Sequence, residues 1–518
     1  MRIWDTTQPD NVLKITTKVF SGRVNDIDWD SESKRLIAVG EGKDRFGHAF
    51  LVDTASTVGE IGGHSKVINS VAIRPCRPLR AATASDDTTV NWHHGVPFKF
   101  NKSLDCHSRF ALCVRFSPDG ALLASSGADG KLFLYDGQTG GLVTELTDAH
   151  TGGIYSLSWS PDGKSLLTVS ADRCAKLWDI TSKSVLSSHS FTSSDNPIDD
   201  QQVGSLWVGN HLLSLSLSGD INYLDPRSSN PSRTIRSHSK GITALAIDAS
   251  QTLFSGSYDG RVCRWSDGFA SVVSGPGHTN QVVSISADTN KVLTAAMDDS
   301  IRVIDKASQS FTNQVVATGS VPKSLAGRND VAVSVTNDHE AIIVVNGAKQ
   351  VSIKLPYAPS AVALSPNGVT VAIGAVDSKV YIYDLHSNSS LDLKTQLSSN
   401  KGPITSLAYS PKGDLLASAD AQRTIVVFET TDYQLKIHQW VFHNARVNSI
   451  AWSPDGLHAV SSSLDTNVEV WSVETPMKHI SIKAAHQDSA TGAVFIDNGT
   501  IASAGQDAQI KLWSLKHF

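Results

Sequence analysis

The residues of this chain that could do chemistry come in sets. A histidine is followed 20–22 residues later by an aspartate, and six residues after that by a large apolar or aromatic residue. The sets are His64–Asp86–Trp92, His107–Asp129–Tyr135, His150–Asp172–Trp178, His238–Asp259–Trp265, His278–Asp298–Ile304, His443–Asp465–Trp471 and His486–Asp507–Trp513. Histidine, aspartate and a hydroxyl together are the ingredients of a nucleophilic triad, in which His takes the hydroxyl proton and Asp orients the His. A triad is needed once, whereas this constellation recurs in seven units. Repetition points instead to a buried hydrogen-bonded set that fixes one geometry in every unit. A hydrolase would need one exposed pair unlike the other six.

Other chemistries are not signalled. The histidines form no H-x-x-x-H pair and no Cys/His cluster with metal-ligand spacing. Neither a phosphate-binding G-x-x-x-x-G-K-[ST] loop nor a dinucleotide fingerprint is present. The expectation is a protein without metal, cofactor or enzymatic activity.

The sets ride on a longer repeat that must position them. Short apolar runs end at Trp4, Val52, Trp92, Tyr135, Trp178, Leu224, Trp265, Ile304, Val345, Tyr383, Phe428, Trp471 and Trp513, a mean period of about 42 residues, within the range of four-stranded propeller blades. Between the anchors, Ile154–Trp159 (I-Y-S-L-S-W) alternates apolar with small or polar residues, and 166–169 is a short buried run. Ser160-Pro161-Asp162-Gly163 separates them, with Pro setting φ and Gly supplying a positive φ. The same S-P-x-G turn recurs at 117–120, 365–368, 410–413 and 453–456. Strand, turn, strand, Asp-led turn and strand, without helical periodicity, predict an all-β radial array.

At 518 residues the chain is too long for one ordinary core. With 40% hydrophobic and 18% charged residues it has a globular composition, and no apolar run approaches a membrane span. No signal-peptide pattern opens it, and five cysteines without C-x-x-C spacing fit a reduced, cytoplasmic compartment. A net charge of −5 and a pI near 6.4 argue against nucleic-acid binding through a broad basic face, and no membrane partner is expected.

Counting endings divides the chain. The last seven, Trp265 to Trp513, belong to seven complete units, predicting a closed seven-bladed ring over 235–518. The Pro/Ser/Asn-rich segment 226–232 reads as a connection. Ahead of it, 1–234 holds five complete units and the strand stub ending at Trp4, an incomplete ring. A fragment or misassigned start, a ring of fewer blades, and completion by a partner compete as explanations, with the first preferred.

Some segments are more specific than the repeat. They include D-W-D-S-E-S-K-R (28–35), G-E-G-K-D-R-F-G-H (40–48), P-F-K-F (97–100), H-S-R-F (107–110), D-Q-Q-V-G (200–204), L-S-L-S-L-S-G (213–219) and I-N-Y-L-D (221–225). G-H-T-N-Q-V (277–282) and M-D-D (297–299) follow them. The repeat resembles that of WD-repeat proteins, and these segments, in order along essentially the whole chain, resemble the actin-interacting WD-repeat family. The resemblance implies two tandem β-propellers whose His, Asp, Ser/Thr and Trp tie each blade together. It also implies that this chain lacks the family's first unit and most of its second. The implied function is non-enzymatic: binding actin filaments decorated with actin-depolymerising factor/cofilin and promoting their disassembly, in the cytoplasm at the cortical actin cytoskeleton. A scaffold or adaptor of another multiprotein complex is the alternative.

Family residues implicated in partner binding match Asp44, Asp86, Phe100 and Phe110. Asp86 also holds the structural Asp position of its set, and Phe110 could be a packed strand residue. Phe100 follows a proline and reads as part of a connection between blades, available as an anchor. Lys99, Lys102 and Arg109 beside the aromatics could meet an acidic partner face.

Overall fold

The computed structural model describes residues 1–7, 12–43, 45–192, 196–266, 268–288, 291–328, 330–387 and 389–516. Every regular element among the described residues is a β-strand, and all strand pairs within the sheets are antiparallel. The chain forms two compact units, Met1–Ile235 and Arg236–Phe518. The first holds a two-stranded sheet, Arg2–Asp5 with Val12–Thr16, and four-stranded sheets over 24–60, 68–104, 111–146, 154–190 and 202–235. The second holds four-stranded sheets over 242–272, 282–317, 322–354, 359–397, 404–440 and 447–482, and a three-stranded sheet over 490–514.

Each sheet is a meander that follows from its sequence. In Ile154–Trp159, Ile154, Leu157 and Trp159 are buried. The odd spacing from Ile154 to Leu157 is reconciled by a bulge between Ile154 and Ser156, which inserts one residue and restores the face. Comparable bulges recur in other first strands, at Ile68/Ser70, Val282/Ser284 and Val447/Ser449. At the turn that follows, Gly163 has φ of 71° and its amide donates to Ser160 O at 2.9 Å. The Ser160 hydroxyl donates to Asp162 and accepts from the Ser165 amide.

The marker residues do not end their sheets. Trp178 stands in Cys174–Asp179, the third strand of its sheet, and a fourth, Ser184–Ser190, follows. Arg2–Asp5 is likewise followed by its partner Val12–Thr16. The sheets have four strands, as the period suggests, in all but the first and last, and the marker residue stands in the third strand, not the last. The fourth strands are mostly exposed, as in Leu142–Leu146 and Ser184–Ser190, and so lack the apolar alternation that reveals the inner three.

Neighbouring sheets pack face to face, and the core is a series of inter-sheet layers. Cys113, Ala124, Leu132 and Leu134 of one sheet, for example, meet Ile154, Leu157, Trp159, Leu166 and Trp178 of the next. Polar side chains stitch the same junctions: Ser156 and Ser158 accept from the Ser205 and Trp207 amides at 3.2 and 2.8 Å. In the second unit the last sheet meets the first, where Thr491 Oγ1 donates to Ile242 O at 2.7 Å.

Candidate partner-binding surface

The His–Asp sets come first, because their geometry decides whether they are available for chemistry. In the 154–190 sheet Trp178 Nε1 donates to Thr168 Oγ1 at 3.1 Å, Thr168 Oγ1 meets His150 Nε2 at 2.8 Å, and His150 Nδ1 meets Asp172 Oδ2 at 2.9 Å. The indole can only donate, so Thr168 Oγ1 accepts from it, and the threonine hydroxyl has both His150 Nε2 and Lys176 O within hydrogen-bond reach. Asp172 Oδ2 also accepts from the Thr151 amide at 3.1 Å, so the set is tied to the backbone as well. The pattern repeats as His443–Ser461–Asp465–Trp471 and His486–Ser503–Asp507–Trp513. In the 111–146 sheet Tyr135 OH replaces the indole against Ser125, which His107 also contacts. His278 bonds Thr294 and Asp298, with Ile304 at the indole position.

Burial drives the histidines toward neutrality: His64, His278 and His486 are held below the usual imidazole range, and His238 falls to about 4. Burial alone would raise the aspartates, but His107 and the Ser108 and Lys131 amides bring Asp129 down to about 2. The hydroxyl-bearing residues, such as Thr168, Ser461 and Ser503, are fully buried. A hydroxyl with both partners committed and no access to solvent is not a nucleophile. The sets are struts.

Two of them differ from the sequence reading. In the 68–104 sheet His64 Nδ1 bonds Asp87 Oδ2 at 2.9 Å, not Asp86, and Thr83 Oγ1 bonds His93 Nε2 at 3.1 Å, not Trp92. The set is His64–Thr83–Asp87–His93. Residues alternate faces along a strand, so a shift of one places Trp92 on the opposite side, fully buried against Phe116 and Tyr135. The S-x-D spacing of Ser170-Ala171-Asp172 and Ser463-Leu464-Asp465, applied to Ser85, points to Asp87. In the second case His238 bonds Ser255 at 2.7 Å and its Nδ1 faces Cys263 Sγ at 3.9 Å. Asp259 turns to Ser257, Ser239 and the Arg261 amide. One set went unseen in the sequence: Asn400 takes the histidine position, accepting from Ser418 at 2.9 Å and reaching Asp420 at 3.4 Å.

Released from the strut, Asp86 is free for another role. Its carboxylate accepts from Asn69 Nδ2 at 2.8 Å, and the same amide group donates to Ala111 O at 3.0 Å in the next sheet. That bond brings Asp86 beside the loop ending at Phe110. Phe110 is 47% exposed, and Lys66 Nζ lies 6.0 Å from its ring centroid. Lys66 belongs to the loop between Thr57–Glu60 and Ile68–Ile73, and Gly63 of that loop sits under Phe100. Gly63 has φ of 94°, and any Cβ there would run into the Phe100 ring.

Phe100, 46% exposed, is thus not in a connection between sheets but in the fourth strand, Lys99–Leu104, with its ring 6.2 Å from that of His93. It is Phe98, next to Pro97, that is fully buried. The loop 61–67 therefore touches Phe100 at Gly63 and Phe110 at Lys66, and joins the two aromatics and Asp86 into one strip. Lys99 and Arg109 are exposed beside the aromatics, and Lys102 is half-buried. Asp44 lies outside the described residues. Lys66 and Asn69 were not legible as site residues, since a surface lysine and a strand asparagine carry no spacing signal.

The family model described as WD domain, G-beta repeat matches residues 55–93, 98–136, 140–179, 229–266, 270–305, 392–429 and 435–472. The chain is 41% identical to a protein named Actin-interacting protein 1 of Drosophila melanogaster, in an alignment covering all of this chain and 86% of that relative. It is 41% identical to WD repeat-containing protein 1 of Gallus gallus and 43% identical to a 66 kDa stress protein of Physarum polycephalum, with the same coverage.

Proposed function

The chain belongs to the actin-interacting WD-repeat family, and from that premise we propose that it binds actin filaments decorated with actin-depolymerising factor/cofilin and promotes their disassembly. The observation that carries the reading is the similarity to a protein named for interaction with actin, sustained over the whole chain. The mechanism is binding and not catalysis, because the His–Asp–hydroxyl sets are consumed as struts. A binding protein moves filaments toward disassembly only if its contacts are stronger in the severed or end-exposed state than in the intact one.

The contact surface in this proposal is the strip on the first unit: Asp86, Phe100 and Phe110, flanked by Lys99 and Arg109; Asp44 is included on the family resemblance alone. Exposed aromatics set among charges of both signs suit a protein interface, where an aromatic anchor supplies most of the energy and charges orient the approach. The units act as separate domains, an incomplete ring over 1–234 and a closed seven-bladed propeller over 235–518. Support for the closure comes from Thr491 reaching across to Ile242. The protein works in the cytoplasm, on the cortical actin cytoskeleton.

Cosedimentation with filaments, with and without cofilin, tests the reading. Cofilin is expected to increase the pelleted fraction and the loss of filament mass. Equal pelleting in both conditions would remove cofilin from the proposal.

A further inference from the structure

Most sheets turn one third-strand side chain, that of the residue before the marker, onto the sheet that follows. Leu134 and Leu177 do so in the first unit. In four sheets of the second unit the position is filled by Val303, Ile382, Val427 and Val470, all buried. In the sheet over 242–272 it is Arg264, paired with Phe254 and one residue before Trp265. A cation stands where the repeat otherwise sets an aliphatic side chain, at a kind of position that rarely takes a charge without a partner.

The exchange goes with a cavity. Between this sheet and the next, over 282–317, lies a space of about 210 Å³ with Arg264 and Lys306 among its lining residues. Phe254 and Val273 wall it on one side and Ile304 on the other, all three from one apolar layer. The cavity reaches the end of the sheets that carries the turns 248–252 and 306–309. In a meander that end lies opposite the Ser257-Tyr258-Asp259 turn, so the site is separate from the His238 set.

Its charges do not balance. The Asp248 carboxylate, whose side chain is fully buried, is committed on both oxygens. Oδ1 accepts from the Ser250 and Thr252 amides at 2.8 and 2.9 Å and from the Ser250 hydroxyl at 2.9 Å, and Oδ2 pairs with Lys306 Nζ at 2.7 Å. Lys306 Nζ also donates to Ser250 Oγ at 3.1 Å and to Asp288 O at 3.5 Å. Arg264 is half-buried, and among the described residues no carboxylate pairs with its guanidinium. Two cations against one carboxylate leave the lining with one positive charge unmatched.

We propose that this cavity binds a carboxylate, held by the fork of Arg264. A guanidinium presents paired N–H groups that match the two oxygens of a carboxylate, and the neutral Lys306–Asp248 pair fixes the wall beside it. One unmatched positive charge fits a monoanion, whereas a phosphate monoester brings up to about two negative charges. The space is smaller than the roughly 300 Å³ at which drug-sized sites begin, so the acid is short, its few methylenes lying on Phe254, Val273 and Ile304. Its source is either a free small carboxylic acid or a glutamate side chain of a partner polypeptide.

The test titrates the full chain, at constant ionic strength, with sodium propionate, inorganic phosphate, and the peptides acetyl-Gly-Glu-Gly-amide and acetyl-Gly-Gln-Gly-amide. Hydrogen exchange over 253–272 is the readout. Propionate or the Glu peptide should bind with a Kd of about 1 mM and slow this exchange about tenfold at ten times that concentration. Phosphate and the Gln peptide should bind about tenfold more weakly or not at all. Arg264→Leu restores the aliphatic residue of the other sheets and should fold at least as well, yet lose the response, and Arg264→Lys should keep only part of it. A Glu peptide distinctly tighter than propionate puts the carboxylate on a partner polypeptide, and one no tighter puts it on a free acid. A response that persists in Arg264→Leu would overturn the proposal. So would phosphate binding as tightly as either carboxylate, or no response to either carboxylate up to roughly 50 mM.

Discussion

Two adjacent aspartates separate the strut from the surface, and replacing each by alanine should divide stability from binding. Asp87 accepts from His64 Nδ1 at 2.9 Å, the Ser65 amide at 2.9 Å, and the Thr89 amide and hydroxyl at 3.1 and 2.8 Å. His64 is almost fully buried at its side chain, so Asp87→Ala leaves its Nδ1 only the long contact to Thr89 Oγ1 at 3.4 Å, whereas the Ser65 and Thr89 amides can turn to water. Losing a charge-assisted bond and leaving one buried ring nitrogen poorly paired costs about 3 kcal/mol. Asp86 takes a single side-chain bond, from an Asn69 amide group that keeps Ala111 O, so Asp86→Ala costs about 0.5–1 kcal/mol. The chain has two units and need not unfold in one step. The suitable assay is therefore urea-dependent hydrogen exchange over 64–104, paired with filament cosedimentation. D87A should exchange much faster in that segment, while D86A stays near wild type and loses pelleting. A D86A protein less stable than D87A would refute the assignment of the strut to Asp87.

Other outcomes follow from the same geometry. Gly63→Ala must displace the Phe100 ring and adopt a strained positive φ, so it should weaken filament binding much as Phe100→Ala does, by about tenfold in Kd if the ring is an anchor, measured by cosedimentation. Burial lifts Asp28 to about 6, against bonds from the Ile73 and Trp29 amides and the charge of Arg115, with Asp26 adding to the lift. The folded protein then binds this proton more tightly than the unfolded chain, so the Asp28 contribution to stability grows as pH falls from about 6 to about 4 and is absent above that window. Asp28→Asn should accordingly stabilise the first unit at pH 7, by about 1–2 kcal/mol, with the difference vanishing near pH 4 in pH-dependent urea melts. Thr491→Val removes the bonds to Ile242 O and Ala504 O, and should cost about 1 kcal/mol and speed exchange over 242–247 and 490–497.

The inner three strands of each sheet were legible because their chemistry is strict. Apolar alternation, a Gly with positive φ in S-P-x-G and a His–Asp spacing each answer to one geometry. The fourth strands were not legible, since strands such as Ser184–Ser190 face solvent along most of their length and accept almost any residue. Register was lost where the sequence doubles its signals, at Asp86-Asp87 and Trp92-His93. There the spacing from His favours Asp86 while the Ser-x-Asp spacing favours Asp87, and the face each residue takes decides between them. The surface strip was half legible. The aromatics stood out as departures from the repeat, but Lys66 and Gly63 belong to it by composition, and their roles arise from packing between sheets.

The doubling at Asp86-Asp87 also shows how a repeat built for rigidity leaves a side chain available for the proposed surface. In the parent pattern the residue between Ser and Asp serves the fold through its backbone alone. Its amide reaches the carbonyl that precedes the first strand of its own sheet, as Ala128 does to Phe110 and Leu464 to Arg446. Its side chain is surplus to the fold. At that position the molecule places Asp86 in the first unit, and Tyr258, Met297, Val376 and Leu464 in the second, all four substantially exposed. The strut residues one position on cannot vary without orphaning a buried histidine, but this one can take acid, aromatic or aliphatic character at little cost. In the proposed binding role, recognition is written where the backbone is held and the side chain is free, and Asp86 beside Phe110 is one instance of that arrangement.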